Sequence, residues 1–162
     1  MSRTLKKEDG DLYINPSNGR GSYITGNEKL AQDVADVFMT IYDPERGYGF
    51  NLATIEDVNS HSSSLPGFSV GLIRSEVRDA LERLEALQGD RSYQLNSYEA
   101  IKEIGTVHVY QASRTGYTFY VNVVPAAGGQ NVKIGYRINL RHQFTGSPRN
   151  LPGTEVTGRF LI

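Results

Sequence analysis

Three carboxylates in the middle of the chain have a spacing that suits acid–base chemistry. Asp79, Glu82 and Glu85 are three residues apart, so they become neighbours if the segment is helical. A glycosidase needs two carboxyl groups that face each other across a sugar, one of them with a raised pKa. A row on one helix, interleaved with Arg78 and Arg83, is instead typical of a solvated, ion-paired surface. The row therefore predicts an exposed helix face, and a glycosidase that uses Glu82 and Glu85 remains the alternative.

The histidines do not form a catalytic or metal-binding pattern. His61, His108 and His142 are far apart in the sequence, and none has the i, i+4 partner of a helical zinc motif. His61 is followed by Ser62, but adjacent residues without an orienting third group do not make a positioned nucleophile. The chain has no cysteine, which excludes disulfides and thiolate metal sites. We expect no catalytic residue, no metal and no cofactor.

A row of basic residues in the second half of the chain is the clearer candidate for a binding function. Lys133, Arg137 and Arg141 recur at every fourth position of a segment that alternates like a strand, so they share one face. Solvent-facing alternation explains such a row, but positive charges on an edge strand also discourage random pairing and attract an acidic partner. The formal net charge is only -1, which gives no bulk reason to expect nucleic acid or a membrane surface.

The elements that position these residues follow from the period of the apolar side chains. That period predicts a hairpin over 10–25, an amphipathic helix over 27–41 and a second helix over 70–88. Thr25 precedes Glu28 by three residues, the spacing of a capping box. The period then falls to two, which predicts a meander of three antiparallel strands whose last strand has an open edge. The expected fold class is α+β, with two helices packed on a mostly antiparallel sheet.

The end of the chain differs in composition from the rest. Residues 144–162 contain prolines and glycines without helical period and finish in an apolar tip. We therefore expect one α+β domain over 1–143 and an extended C-terminal arm over 144–162. Because a polar arm with an apolar tip suits contact with a neighbouring subunit, Phe160 and Leu161 are candidate partner-binding residues.

Several segments in a fixed order add a resemblance to a known family. Two of them are short, Asp9-Gly10-Asp11-Leu12 and Phe38-Met39-Thr40. The other three segments are longer, and we call them the first, second and third segments of the resemblance. They are Gly26-Asn27-Glu28-Lys29-Leu30-Ala31-Gln32-Asp33-Val34, Gly47-Tyr48-Gly49-Phe50-Asn51-Leu52 and Ala80-Leu81-Glu82-Arg83-Leu84-Glu85. In this order, over about residues 9–141, the chain resembles the baseplate wedge family of contractile phage tails, which is related to the wedge component of type VI secretion baseplates. Members usually close the second helix with Glu-Pro-Arg, whereas Ala86 and Leu87 follow Glu85 here. Only Glu85 is therefore carried over as a partner-binding residue.

The resemblance implies a structural protein of the virion rather than an enzyme. It implies a wedge component in the tail baseplate that joins other wedge proteins to the first ring of tail-sheath subunits, assembled in the cytoplasm of the host bacterium. Implied partners are other wedge proteins, the sheath protein, and hub or tube proteins of a large symmetric assembly, with no nucleic acid and no membrane. Some members carry a historical lysozyme label, so a peptidoglycan-degrading glycosidase stays as the alternative. A third reading is a binding module on the sheet, which would have a closed apolar pocket.

Overall fold

The structure of this chain is a computed structural model. It describes residues 3–8, 11–51, 68–90, 95–112, 116–139 and 155–161. Predictions for Arg141, for His61 and His142, and for residues 144–154 lie outside the described residues. Within the described ranges the chain forms two α-helices and antiparallel strand pairs, which confirms the predicted α+β class. No helix in those ranges is both long and apolar enough to span a membrane.

Six short strands precede the first helix. They are β1 (Thr4–Leu5), β2 (Lys7–Glu8), β3 (Asp11–Leu12), β4 (Ile14–Asn15), β5 (Arg20–Gly21) and β6 (Tyr23–Ile24). The antiparallel pair β4–β5 confirms the predicted hairpin, and its turn is held by the Asn15 side chain, whose Oδ1 accepts a bond from the Ser17 amide at 2.9 Å. The other antiparallel pairs are β2–β3 and β1–β6. The second arm of the hairpin therefore also binds the start of the described chain.

Helices α1 (Gly26–Met39) and α2 (Phe68–Asp90) lie close to where the apolar period predicts them. The capping-box prediction was wrong, because the Thr25 side chain makes no capping hydrogen bond. The Gly26 amide instead donates to Oε1 of Glu99 at 3.2 Å. A carboxylate near the helix N-terminus complements the unpaired amides and the helix dipole, so a residue from much later in the chain supplies the cap.

The main sheet has four antiparallel strands. They are β7 (Ile101–Gln111), β8 (Gly116–Pro125), β9 (Val132–Asn139) and β10 (Glu155–Leu161), in the spatial order β10-β9-β8-β7. Both helices contact the sheet, α1 at β9 and α2 at β7. Alternate residues of β8 are buried toward the helices, and the intervening ones are half-buried on the opposite, outer face. The result is a two-layer domain with helices on one side of the sheet.

Aromatic rings fill the centre of the core. The Phe38 ring of α1 lies with its centroid 5.4 Å from that of Phe50, 5.1 Å from that of Phe119 and 5.0 Å from that of Tyr136. All four residues are essentially inaccessible to solvent. Edge-to-face and tilted ring pairs at these separations add to the free energy gained by burial.

The C-terminal strand changes the expected picture of the sheet edge. β10 pairs antiparallel with β9, with Glu155 opposite Asn139 and Leu161 opposite Ile134. The expectation that β9 exposes an unpaired edge was therefore wrong, because the chain covers that edge itself. Covering satisfies backbone groups that would otherwise invite random pairing. Within 155–161, the expected arm is a strand of the domain's own sheet, and it contains Phe160 and Leu161.

Candidate partner-binding surface

The first segment of the resemblance ties the N-terminal strands to α1. Oε1 of Gln32 accepts a bond from the Lys7 amide at 2.7 Å, and Nε2 of Gln32 donates to the Leu5 carbonyl at 2.9 Å. The Lys7 ammonium also pairs with Asp36 at 2.8 Å. The side-chain amide of Gln32 thus bonds the backbone as a neighbouring strand would, and it is almost fully buried. Its role in this fold is to fix the N-terminal strands on the helix.

The second and third segments meet at Arg83. One Nη of Arg83 donates to the Gly49 carbonyl at 3.0 Å and to the Glu76 carboxylate at 2.5 Å. The same carboxylate accepts the Asn51 amide at 2.8 Å, and the guanidinium lies 4.5 Å from the centroid of the Tyr42 ring. Charge-assisted bonds of this kind are stronger than neutral ones. They hold the loop after α1 against α2.

A buried polar junction joins the two helices to the sheet. Glu99 is fully buried, and besides capping α1 it accepts the Asn96 amide at 3.4 Å. The Gln88 side chain donates to the Glu99 carbonyl at 3.1 Å and accepts the Ile101 amide at 2.8 Å. Buried polar groups that are paired in this way favour one arrangement of the elements over others. The junction is structural.

The carboxylate row predicted from the sequence lies along α2. Asp79 and Glu82 are exposed and Glu85 is half-buried on the same helix, so the row lies along one helix rather than across a cleft. The interleaved Arg78 and Arg83 bond the carbonyls of other elements. In the part of the chain that the structure describes, no group of three or more His, Asp or Glu side chains is placed to hold a metal ion.

A pocket of about 520 Å³ lies between α1, the following loop and α2. All three segments of the resemblance contribute to its lining, which includes Lys29, Asp33, Tyr48 and Leu84. Its charged groups already have partners, since Lys29 pairs with Asp33 at 2.5 Å and Arg46 pairs with Asp43 at 3.4 Å. The pocket is partly open to solvent and lies beside the helices, whereas the predicted binding module would have a closed apolar pocket on the sheet.

Burial changes the acidity of two groups in that pocket. Desolvation raises the pKa of the Asp33 carboxyl above its usual value, although the bond from Lys29 opposes the shift. Desolvation and then the nearby carboxylates of Asp36 and Asp33 raise the pKa of Tyr48 to about 12, while a bond with Thr40 lowers it. Both shifts follow from removing a charged form from water. Tyr48 is therefore neutral at physiological pH.

The outer face of the main sheet carries a group of mostly exposed side chains that suits contact with a partner protein. The centroids of the His108 and Tyr110 rings are 6.4 Å apart, and those of Tyr110 and Tyr120 are 5.9 Å apart. Lys133 and Arg137 are exposed on the neighbouring strand β9. We call these five residues the outer platform. Lys133 and Arg137 were predicted to lie on a solvent-facing strand face, and the structure confirms it.

A second exposed apolar group lies on the N-terminal strands. Leu5 and Tyr23 face each other across β1 and β6, and Ile14 lies opposite Gly21 across β4 and β5. Leu5, Ile14 and Tyr23 are all exposed, with Tyr23 at 65%. An exposed apolar group of this kind marks a contact surface more often than a scattered single residue does.

The candidate partner-binding residues predicted from the sequence lie in three different parts of the fold. Lys133 and Arg137 lie on the outer platform, Glu85 lies on α2, and Phe160 and Leu161 lie in β10. Strand alternation places Tyr110 and Tyr120 on solvent-facing positions, where tyrosine is typical of protein contacts. The contact of these rings with each other and with His108 was not predicted.

Comparisons of the chain with protein-family models, with curated proteins and with solved structures find no match. The comparisons therefore assign neither a family nor a function.

Proposed function

We propose that this protein is a non-enzymatic structural component of a contractile-tail baseplate wedge, where it joins other wedge proteins to the first ring of the tail sheath. One observation carries the proposal. The three segments that resemble the wedge family are distant in the sequence, yet Lys29 and Asp33, Tyr48 and Leu84 line the same pocket. Arg83 and Gly49 bond directly. The three matched segments meet in space, which supports the proposal that this chain resembles the wedge family because it shares the family's fold.

The exposed surfaces support an assembly role. The outer platform lies on the main sheet and the apolar group lies on the N-terminal strands, and a protein that joins several partners needs exposed groups of this kind. Within the described chain β7 and β10 each pair with only one other strand of the main sheet. A partner strand can be added to such an edge through main-chain hydrogen bonds. Docking on β9 itself is not proposed, because β10 covers it.

Inactivation of the gene in the genome that encodes this chain tests the proposal directly. We expect particles with tail tubes that lack an attached sheath, seen by electron microscopy, and restoration by the unaltered gene. Complete, contractile tails in the inactivated strain would refute the proposed role.

A peptidoglycan assay separates the proposal from the glycosidase alternative. We expect no hydrolysis by the purified chain, because Asp79, Glu82 and Glu85 lie in a row along a single helix and do not face each other across a cleft. Hydrolysis that the unaltered chain performs and that Glu82→Gln or Glu85→Gln abolishes would overturn the non-enzymatic reading. Arg74→Gln, an exposed substitution on the same helix, is the matched control.

A further inference from the structure

The outer platform combines exposed rings with positive charge. Tyr110 is 55% exposed, and its ring lies edge-on to that of Tyr120, with an angle of 69° between the planes. His108 lies directly opposite Tyr120 across the strands. Three contacting rings on the solvent side of a sheet form a larger apolar area than isolated surface residues do. Tyrosine is enriched where proteins contact each other, because its ring is apolar and its hydroxyl is polar.

The cations lie beside these rings at defined positions. Gly135 lies opposite Tyr120, and Lys133 and Arg137 are two residues to either side of that glycine, opposite Asn122 and Thr118. Residues four apart on a strand are separated by about 13 Å. Lys133 and Arg137 are exposed, and Arg137 also interacts within the chain. The outer platform therefore carries two exposed basic side chains, although the whole chain has a formal charge of -1.

We propose that the outer platform binds an acidic segment of a partner protein, with carboxylates near Lys133 and Arg137 and an apolar side chain against Tyr110. The inference rests on the proposed function, since it names the chemistry of one partner of an assembly adaptor. Complementary charge directs encounter and selects partners, while the buried aromatic contacts supply most of the affinity.

A protein partner fits this surface better than a nucleic acid. Nucleic-acid affinity comes mainly from many phosphate contacts, and the platform offers two cations on a chain with no net positive charge. Bases stack on open ring faces. The edge-to-face packing of Tyr110 against Tyr120 leaves fewer open faces than the number of rings suggests.

Selection from a random peptide display library on the immobilised full chain tests the inference. We expect enrichment of peptides that contain Asp or Glu together with aliphatic or aromatic residues. The enriched peptides should bind about tenfold more weakly to Tyr110→Ala and to the double variant Lys133→Glu, Arg137→Glu. Binding to the unaltered chain should also weaken as salt is added.

Matched controls keep the result specific to the platform. Tyr98→Ala removes a tyrosine that is 53% exposed on the segment before β7, and Arg74→Glu reverses an exposed charge on α2. Both should bind the peptides like the unaltered chain. Circular dichroism of each variant establishes that its fold is intact before binding is compared.

Three results would overturn the inference. The first is a peptide set without acidic enrichment, and the second is an equal loss of binding in the control variants. The third is tight binding of oligothymidine that the platform variants abolish, which would make the surface a nucleic-acid site. None of these results bears on sheath attachment in the gene-inactivation experiment, so failure here is distinguishable from failure of the proposed function.

Discussion

At the scale of single residues, Gly49 has a conformation that other residues rarely adopt. Its φ is +107°, and a Cβ there would lie 2.6 Å from the Ile41 carbonyl oxygen. We expect Gly49→Ala to lower the free energy of unfolding by roughly 3 kcal/mol, because it adds backbone strain and a steric clash. Denaturant unfolding measures this change.

A second glycine provides the matched control. Gly71 lies in α2, where a Cβ would meet no atom within 4 Å. Gly71→Ala should raise the free energy of unfolding by about 0.5–1 kcal/mol, because alanine has the higher helix propensity. Equal effects of the two substitutions would mean that the loop after α1 does not have the described backbone.

The pH dependence of stability should report the burial of Asp33. Its pKa is raised from 3.8 in the folded chain, so between the two pKa values the folded state binds more protons than the unfolded state. Stability then falls as pH rises through that window. The quantity to compare is the unfolding free energy of the unaltered chain minus that of Asp33→Asn. We expect this difference to be largest below pH 3.8 and to decrease as the pH rises, until the pH exceeds the raised pKa of Asp33. A difference that increases with pH would show that the Lys29 ion pair outweighs desolvation.

At the scale of elements, the packing of α1 on the sheet depends on Phe38. The residue is 1% exposed and its ring contacts three other aromatic rings. Phe38→Ala should lower the free energy of unfolding by about 3–5 kcal/mol, since it removes apolar contacts and leaves a cavity. Met39→Ala, at a neighbouring residue that is 44% exposed, should change it by about 0.5 kcal/mol or less. A Phe38→Ala loss below about 1 kcal/mol would contradict the described core.

The sequence predicts well those helices and strands in which apolar residues recur at regular spacing. Leu30, Val34, Val37 and Phe38 recur at helical spacing and are all buried in α1. Alternation likewise predicts β8 and β9, because one face of each is buried against the helices. The capping of α1 was missed because Glu99 is 73 residues away from Gly26. Only the tertiary fold brings such a pair together.

The strand β10 was missed for a different physical reason. Its register shifts between Thr157 and Arg159, so a bulge interrupts the alternation by which a strand is recognised. The outer platform could not be predicted either, because His108, Tyr110 and Tyr120 meet only when β7 and β8 pair in the observed register. Residue types indicate a solvent-facing position, but strand register determines which rings touch.

At the scale of the whole molecule, β10 occupies one edge of β9 and so limits the edges of the main sheet to which the proposed partner strand can be added. Six residue pairs join β10 to β9, and displacing them would require breaking main-chain bonds that are already made. A partner strand added to the outer edge of β10 or to β7 breaks none of these bonds. Under the proposed function, the energetically simpler route to sheath attachment keeps β10 in place.

A disulfide between β9 and β10 tests this part of the proposed function. Thr157 and Arg137 are directly opposite, and opposite residues of antiparallel strands have Cα atoms about 4.5–5.5 Å apart, which suits a disulfide. The chain has no cysteine of its own, so the double variant Arg137→Cys, Thr157→Cys can form only this bond within one chain.

We expect oxidised and reduced forms of the variant to support sheath attachment equally in tails assembled in vitro and imaged by electron microscopy. The comparison holds the loss of Arg137 constant, because both forms lack it. Attachment by the reduced form alone would mean that a partner strand replaces β10, and that β9 is the docking edge after all.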